Sequence, residues 1–399
     1  MREFAGKQKR VLMIIEDLPV PFDRRSWQEA RTLRKAGYQV SVICPVGKGF
    51  EARYEFLEGI HIYRYNLPVE GNDALSYALE YAAALLSQFV LAWKVFITHG
   101  FDVIHACNPP DNIFLIGLCF KFVRKKFVFD HHDICPELYQ AKFNKKDLLY
   151  KIIRGLERWS FKIADISIAT NESFKRIAIE RGGMNPERVF VVRSGPDLDR
   201  FRIQRPNEAL KHGRTYLVGY LGKMGEQEGI DYLLRAVRYI VFDMGRTDIH
   251  FALVGDGTER KKLESYAAEL GVSQYVTFTG RVVDKDMLEM LNTADVCVNP
   301  DVANEMNDKS TMNKVMEYMA LAKPVVQFDL MEGRFSAEEA SLYAKKNDEI
   351  DLARKIVQLL DDPKVREKMG RRGRARIENE LAWNYQAPKL LAAYSVLWS

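Results

Sequence analysis

Residues 310–326, Ser-Thr-Met-Asn-Lys-Val-Met-Glu-Tyr-Met-Ala-Leu-Ala-Lys-Pro-Val-Val, place one carboxylate, Glu317, beside an otherwise apolar helical stripe. Met312, Val315, Met316, Met319 and Ala320 recur at the spacing of a buried face, so the segment predicts a helix whose bordering Glu317 needs a partner. Ser310 or Thr311 stands where a cap is expected. The adjoining helix start, Met312, Asn313 and Lys314, would offer free N–H groups and the positive end of the dipole to an anion. Lys323-Pro324 ends the helix and Val325 to Asp329 reads as a strand. A hydroxyl-binding carboxylate one or two turns behind an anion-binding helix start suits a sugar nucleotide. An amphipathic core helix that tolerates one glutamate would read the same way.

Two further groups could do chemistry. Phe129-Asp130-His131-His132-Asp133-Ile134-Cys135-Pro136-Glu137 follows a strand and puts two imidazoles at a sheet's carboxyl end. Taken alone it reads as a metal fragment, a polar loop or a catalytic site, and no second His/Cys cluster nearby completes a metal set. Arg24 and Arg25 lie in the first loop after a strand, where the planar guanidinium fork would bind diphosphate oxygens in pairs. An arginine in a helix's first turn is otherwise simply solvated.

The elements that must position these groups alternate from the start. A strand at Arg10 to Ile15, a helix at Trp27 to Ala36 and a strand at Gln39 to Cys44 open a βαβ series, continued by strands at Val103 to Ala106, Lys126 to Asp130, Ile166 to Ala169 and Val189 to Val192. The series restarts with Leu217 to Leu221, His250 to Val254, Val276 to Thr279, Val296 to Asn299 and Val325 to Phe328. The expected fold is therefore α/β, with two Rossmann-like, doubly wound parallel-sheet domains facing a cleft at their carboxyl ends. The expected domains are 1–200 and 215–382, joined by a linker at 201–214.

Composition narrows the class. The 399 residues suffice for two domains, and 47% hydrophobic with 28% charged residues marks a soluble globular chain. A net charge of +5 gives no support to nucleic-acid binding. Local basic clusters at Arg124 to Lys126, Lys142 to Lys151 and Arg366 to Arg376 suit an anionic membrane surface, or are solvated faces. Five unpaired-looking cysteines, Cys44, Cys107, Cys119, Cys135 and Cys297, favour a reducing cytosol. Met1 to Arg10 reads as polar rather than as a leader. The apolar run Leu75 to Ile97 carries Glu80, Gln88 and Lys94, so it reads as an amphipathic helix packed in the core or resting on a membrane.

The order of these segments resembles glycosyltransferase family 4, the retaining sugar-nucleotide transferases of GT-B fold, most nearly a divergent branch akin to surface-polysaccharide enzymes. The family's donor helix reads Glu-x7-Glu followed by Met-Ala-x-Gly-x-Pro-Val-Val. Glu317 matches the second glutamate, Met319 to Val326 match the stretch from Met-Ala to Val-Val, and Lys309 stands where the first glutamate is usual. Gly222-Lys223 matches Gly-Arg, but Glu228 replaces the family's lysine. Leu253 to Gly257, Val276 to Val282 and Ser194-Gly195-Pro196-Asp197 fit further family segments. Asp197-Leu198-Asp199 mimics a metal motif of another transferase fold, which a linker position makes coincidental.

The resemblance implies catalytic roles for His132, with Asp133 orienting its ring, and leaves His131 and Glu137 as weaker candidates. It implies donor contacts by Gly222, Lys223, Arg281, Val282, the segment Lys309, Ser310, Thr311, Met312, Asn313 and Lys314, and Glu317 on the ribose. Arg24 or Arg25, with Lys223 and Lys309 or Lys314, is expected to neutralise the diphosphate in place of the missing lysine. The implied reaction needs no metal and no cofactor beyond a nucleoside-diphosphate sugar, UDP-sugar favoured. The acceptor is expected to be a sugar or lipid-linked sugar bound by the first domain near Asn108 to Asn112, Arg24 and the 75–97 helix. The C-terminal 383–399 helix would cross back onto that domain. Expected location is the cytoplasm, with peripheral contact at the inner face of the cell membrane. The rivals are a GT-B sugar-nucleotide epimerase, which needs no acceptor, and a non-catalytic scaffold.

Overall fold

The computed structural model describes residues 8–67 and 74–398; Met1 to Lys7, and the side chains of Leu75 to Glu80 in the apolar run, lie outside the described residues. The chain divides into two compact units, one running to Ser194 and resuming at Gln386, the other Gly195–Tyr385.

The first unit holds β1 (Arg10–Ile15), β2 (Gln39–Pro45), β3 (Tyr54–Leu57), β4 (Ile60–Tyr65), β5 (Val103–Cys107), β6 (Lys126–His131), β7 (Ile166–Ala169) and β8 (Val189–Val191). They form one sheet in the order β3-β4-β2-β1-β5-β6-β7-β8. Every pairing is parallel except the β3–β4 hairpin, which the sequence pattern did not single out. β1, β2, β5 and β6 are buried along almost their whole length, as strands covered on both faces must be. From Gln386 onward the Trp383–Val396 helix belongs to this unit: Gln386 Oε1 accepts the Arg193 N–H, and the Trp398 indole donates to the Tyr38 hydroxyl.

The second unit holds β9 (Tyr216–Leu221), β10 (Ile249–Val254), β11 (Val276–Gly280), β12 (Val296–Asn299), β13 (Val325–Phe328) and β14 (Ser341–Ala344), all parallel, in the order β11-β10-β9-β12-β13-β14. Residues 201–214 pack within this unit. Asn292 Oδ1 accepts the Gln204 N–H and Thr293 Oγ1 accepts the Asn207 N–H.

Strand order locates the ligand crevices. Chain direction across the sheet reverses between β1 and β5 in the first unit and between β9 and β12 in the second, and open α/β sheets bind ligands outside the carboxyl ends at such switch points. The loops there begin at Glu16, Asn108, Gly222 and Pro300. Gly255, with φ +139°, closes against the first of the second unit's loops, where any β-carbon would run into the Gly222 carbonyl. Gly255→Ala should therefore destabilise the fold by roughly 2–4 kcal/mol. In calorimetry that is a fall in Tm on the order of 5–15 °C, and an unchanged Tm would show that the two loops do not abut.

Candidate active site

In the first unit, side chains alternate along β6 and continue past its end, so Asp130 and His132 fall to one side and His131 to the other. His131 is buried among the rings of Phe129, Phe161 and Phe174, with centroids 5.5, 5.1 and 5.0 Å away. It is a core residue. Glu137 is taken by Arg181 through two bonds of 2.7 and 3.2 Å. His132 keeps 15% side-chain exposure, and its Nε2 lies 2.6 Å from Asp130 Oδ2. The carboxylate that orients it is thus Asp130, correcting the expectation for Asp133. Asp133 is exposed, and its backbone is fixed by Asn108, which accepts the Asp133 N–H and donates to its carbonyl.

Arg25 corrects a second expectation. Asp23 caps the Arg24–Lys35 helix through the Ser26 N–H, leaving Arg24 exposed and turning Arg25 inward. The Arg25 guanidinium contacts Asp130 and Glu29, each at 3.0 Å, His132 Nε2 at 2.9 Å and the Val192 carbonyl at 2.7 Å. Committed to these groups, it is not available to a diphosphate.

The protonation of this cluster follows from burial. Desolvation would raise Asp130, but Arg25 and His132 outweigh it and hold the carboxyl well below its ordinary range. Glu29 goes the other way: burial raises it and the Asp130 charge adds to that against the pull of Arg25, so it carries a proton. Burial lowers His105, so its neutral ring donates from Nε2 to Asp130 Oδ2 at 3.1 Å. Its Nδ1 then accepts from the Tyr394 hydroxyl at 2.7 Å. Arg25 and Asp130 remain as a buried ion pair.

Glu29, His105, Cys107 and Asp130 bring ligand-type atoms within 4.8 Å of one another, close enough for a metal ion. Arg25 already supplies the positive charge to two of the four, so a divalent ion would have to displace a buried guanidinium.

In the second unit the Asn313–Ala320 helix buries Val315, Met316, Tyr318, Met319 and Ala320, with Met312 half-buried beside them. Its N-cap is Met312, with no side-chain cap, which corrects the capping expected of Ser310 or Thr311. Ser310 instead donates to the Met306 carbonyl, closing the preceding Glu305–Lys309 helix, where Lys309 pairs with Glu305 at 2.7 Å. The Tyr318 hydroxyl accepts the Leu221 N–H and so ties this helix to the end of β9.

That contact brings Lys223, Glu228, Asp301 and Lys314 together at the switch point. Lys314 Nζ reaches Asp301 Oδ1 at 2.7 Å and lies over the Tyr220 ring at 5.0 Å, while the Tyr220 hydroxyl donates to the Lys223 carbonyl. Burial raises Asp301 and Glu228 from their ordinary values, with Lys314 pulling both down. Two acids and two lysines therefore share the place where a lysine-rich pocket was expected, and Glu228 sits inside that group. Glu317 is half-buried, 4.0 Å from Arg200, which grips Asp284 with two bonds of 2.6 and 2.9 Å. Arg281, exposed, and Val282, half-buried, follow β11 as expected.

Sequence reasoning missed Asp130, Arg200 and Asp301. Asp130 was legible only through strand alternation, which puts it on the side of His132.

Two Rossmann-like units of this topology define the GT-B class of glycosyltransferases. Residues 24–200 match the family model described as Glycosyltransferase Family 4, and residues 215–362 match the one described as Glycosyl transferases group 1. The chain belongs to these family-4-type glycosyltransferases and is a glycosyltransferase. It is 26% identical over 269 residues to the 2-deoxystreptamine glucosyltransferase of Streptomyces kanamyceticus, covering 64% of this chain and 67% of that one. It is 25% identical over 394 residues to the phosphatidyl-myo-inositol mannosyltransferase of Mycobacterium leprae, covering 96% and 94%. The structure of Anabaena HepE in complex with UDP and glucose superposes with a TM-score of 0.75 at 16% identity, over 97% of this chain and 100% of that chain.

Removing the guanidinium leaves Asp130 buried and uncompensated, so Arg25→Met should cost about 3–5 kcal/mol, measurable by urea titration. Glu29→Gln should be tolerated, because the native group is already neutral. A raised folded pKa means the native protein loses stability as pH rises above the unfolded value of about 4.3. The stability difference favouring Glu29→Gln should therefore widen as pH rises, and a difference that is flat with pH would refute the protonated Glu29.

Proposed function

We propose that the enzyme moves a sugar from a nucleoside diphosphate, UDP first among the candidates, to a hydroxyl of a sugar or lipid-linked sugar, with retained anomeric configuration and without a metal ion. The observation that carries the reading is the cluster of Lys223 and Lys314 at the second unit's switch point, with Glu317 behind it on the same helix as Lys314. The second unit would hold the donor, with the N–H groups of Met312 to Lys314 and the two lysines on the diphosphate and Glu317 accepting from the ribose hydroxyls. Arg281 and Val282 would border the base. The first unit would hold the acceptor.

In the reaction the bond from the anomeric carbon to the β-phosphate oxygen breaks, the acceptor oxygen bonds to that carbon, and its proton passes to the leaving phosphate. Negative charge grows on the diphosphate as the bond breaks, and Lys223 and Lys314 meet that charge. His132, its ring held by Asp130, would donate a hydrogen bond to the transferred sugar. The relative named for a phosphatidyl-myo-inositol acceptor and the similar structure holding UDP and glucose support these roles. Five free cysteines suit work in a reducing cytosol, at the inner face of the membrane.

A panel of UDP-, GDP- and dTDP-sugars assayed for nucleotide release and transfer tests the reading. At least one α-linked donor should give an α-linked product by NMR, and a β-linked product would overturn retention. A charge-assisted bond to ribose is worth about 1.5–3 kcal/mol, so Glu317→Ala should cost roughly 10- to 100-fold in kcat/KM for that donor. An unchanged value removes Glu317 from the donor site.

A further inference from the structure

The Ala74–Thr98 helix packs on the first unit's sheet through Ala84, Gln88, Ala92 and Val95, with Gln88 donating to Glu16 and Tyr65. Its opposite face is apolar as well. Leu86, Val90, Trp93 and Ile97 recur at helical spacing and are 65%, 58%, 38% and 78% exposed, where a surface helix of a soluble domain normally carries charge.

This face does not stand alone. Strand order together with right-handed crossovers puts the Ala74–Thr98, Phe114–Lys121 and Leu148–Ile163 helices on the same side of the sheet, where each contacts the next. The middle helix and the residue after it add Leu115, Leu118 and Phe122, the last 85% exposed, and the third adds Leu148, Ile152 and Trp159. Apolar residues scattered singly over a surface need no explanation, but a continuous run across three neighbouring helices does.

Charge identifies what covers it. Along the Leu148–Ile163 helix Lys151, Arg154, Arg158 and Lys162 are basic, and the helix's one acid, Glu157, is buried against Arg181. An open groove beside the C-terminal half of this helix is lined by Arg158, Lys162 and Arg188 together with Asp165, which Lys121 pairs at 3.1 Å, and Trp159, whose ring lies 4.4 Å from Lys162 Nζ.

We infer that this three-helix face rests on a membrane bearing anionic lipids, with the aromatic and aliphatic side chains entering the headgroup boundary and the groove taking a phosphate headgroup. Apolar area beside an excess of cations is what an interfacial surface requires: burial of the first and attraction of the second add. A helix committed on one face to the sheet cannot cross the bilayer, so the contact is peripheral. The inference deepens the reading of a lipid-linked acceptor. Binding is measured with neither donor nor acceptor, so its failure is separate from failure of the transferase reading.

The experiment is co-sedimentation of the full chain with phosphatidylglycerol-containing vesicles and with pure phosphatidylcholine vesicles, plus light scattering in lipid-free buffer. Binding is expected only to the anionic vesicles. Ile97→Asp with Phe122→Asp should abolish it, and Arg158→Glu with Lys162→Glu and Arg188→Glu should weaken it at least about tenfold, since each basic side chain near such a surface counts separately. These exposed side chains can change without loss of fold, which an unchanged Tm would verify. Absence of binding to anionic vesicles, or binding that survives both sets, overturns the inference. A lipid-free dimer that Ile97→Asp with Phe122→Asp dissolves overturns it too, by assigning the face to a second copy of the chain.

Discussion

Arg25 and Asp130 meet in a place almost without water, where neither can stay charged unless the other does. Much of the first unit's polar architecture is arranged around that pair. Because one carboxylate already balances the guanidinium, Glu29 alongside must keep its proton. Because Asp130 is the ionised member, His105 and His132 can both turn Nε2 toward it. Of these two, only His132 reaches the surface, so the buried charge pair sets the direction of its imidazole. The same pair engages the C-terminal helix: with Nε2 of His105 committed to Asp130, its Nδ1 accepts from the hydroxyl of Tyr394 on that helix, 289 positions away in the chain.

The second unit solves a different electrostatic problem. Its switch point collects Lys223 and Lys314 with two acids, Asp301 buried and Glu228 half-buried, whose charged forms desolvation disfavours. The glutamate at 228, which in sequence looks like the loss of a cation, is a group that desolvation raises while Lys314 and Lys223 pull it down. Tyr318 and Gly255 do the mechanical work, the first by bonding the helix to β9 and the second by letting two loops close on one another. Both are far less conspicuous in the sequence than the charged residues they position.

How much was legible differs by element. The strand cores were readable because a fully buried parallel strand is a short apolar run, as β1 and β9 are. The β3–β4 hairpin was not, since Tyr54 to Leu57 alternates at an exposed edge and carries little apolar signal. Glu317 and His132 were readable as candidates from residue type and place. Their partners were not: Arg200 lies 117 positions from Glu317 in the chain, and Asp130 was overlooked for its neighbour Asp133.

The sequence by itself determined two α/β sheets, their order along the chain and the loops that bear chemistry, because periodicity and turn residues are local properties. It also determined that a helix at 313–320 would border a carboxylate. Only tertiary structure decided which cations are exposed and which are buried. Arg24 and Arg25 are adjacent and chemically alike, yet one is exposed and the other is sealed between the Asp130 carboxylate and the Glu29 carboxyl. That difference arises from desolvation and from partners brought in by distant strands, and neither is written in the spacing of residues along the chain.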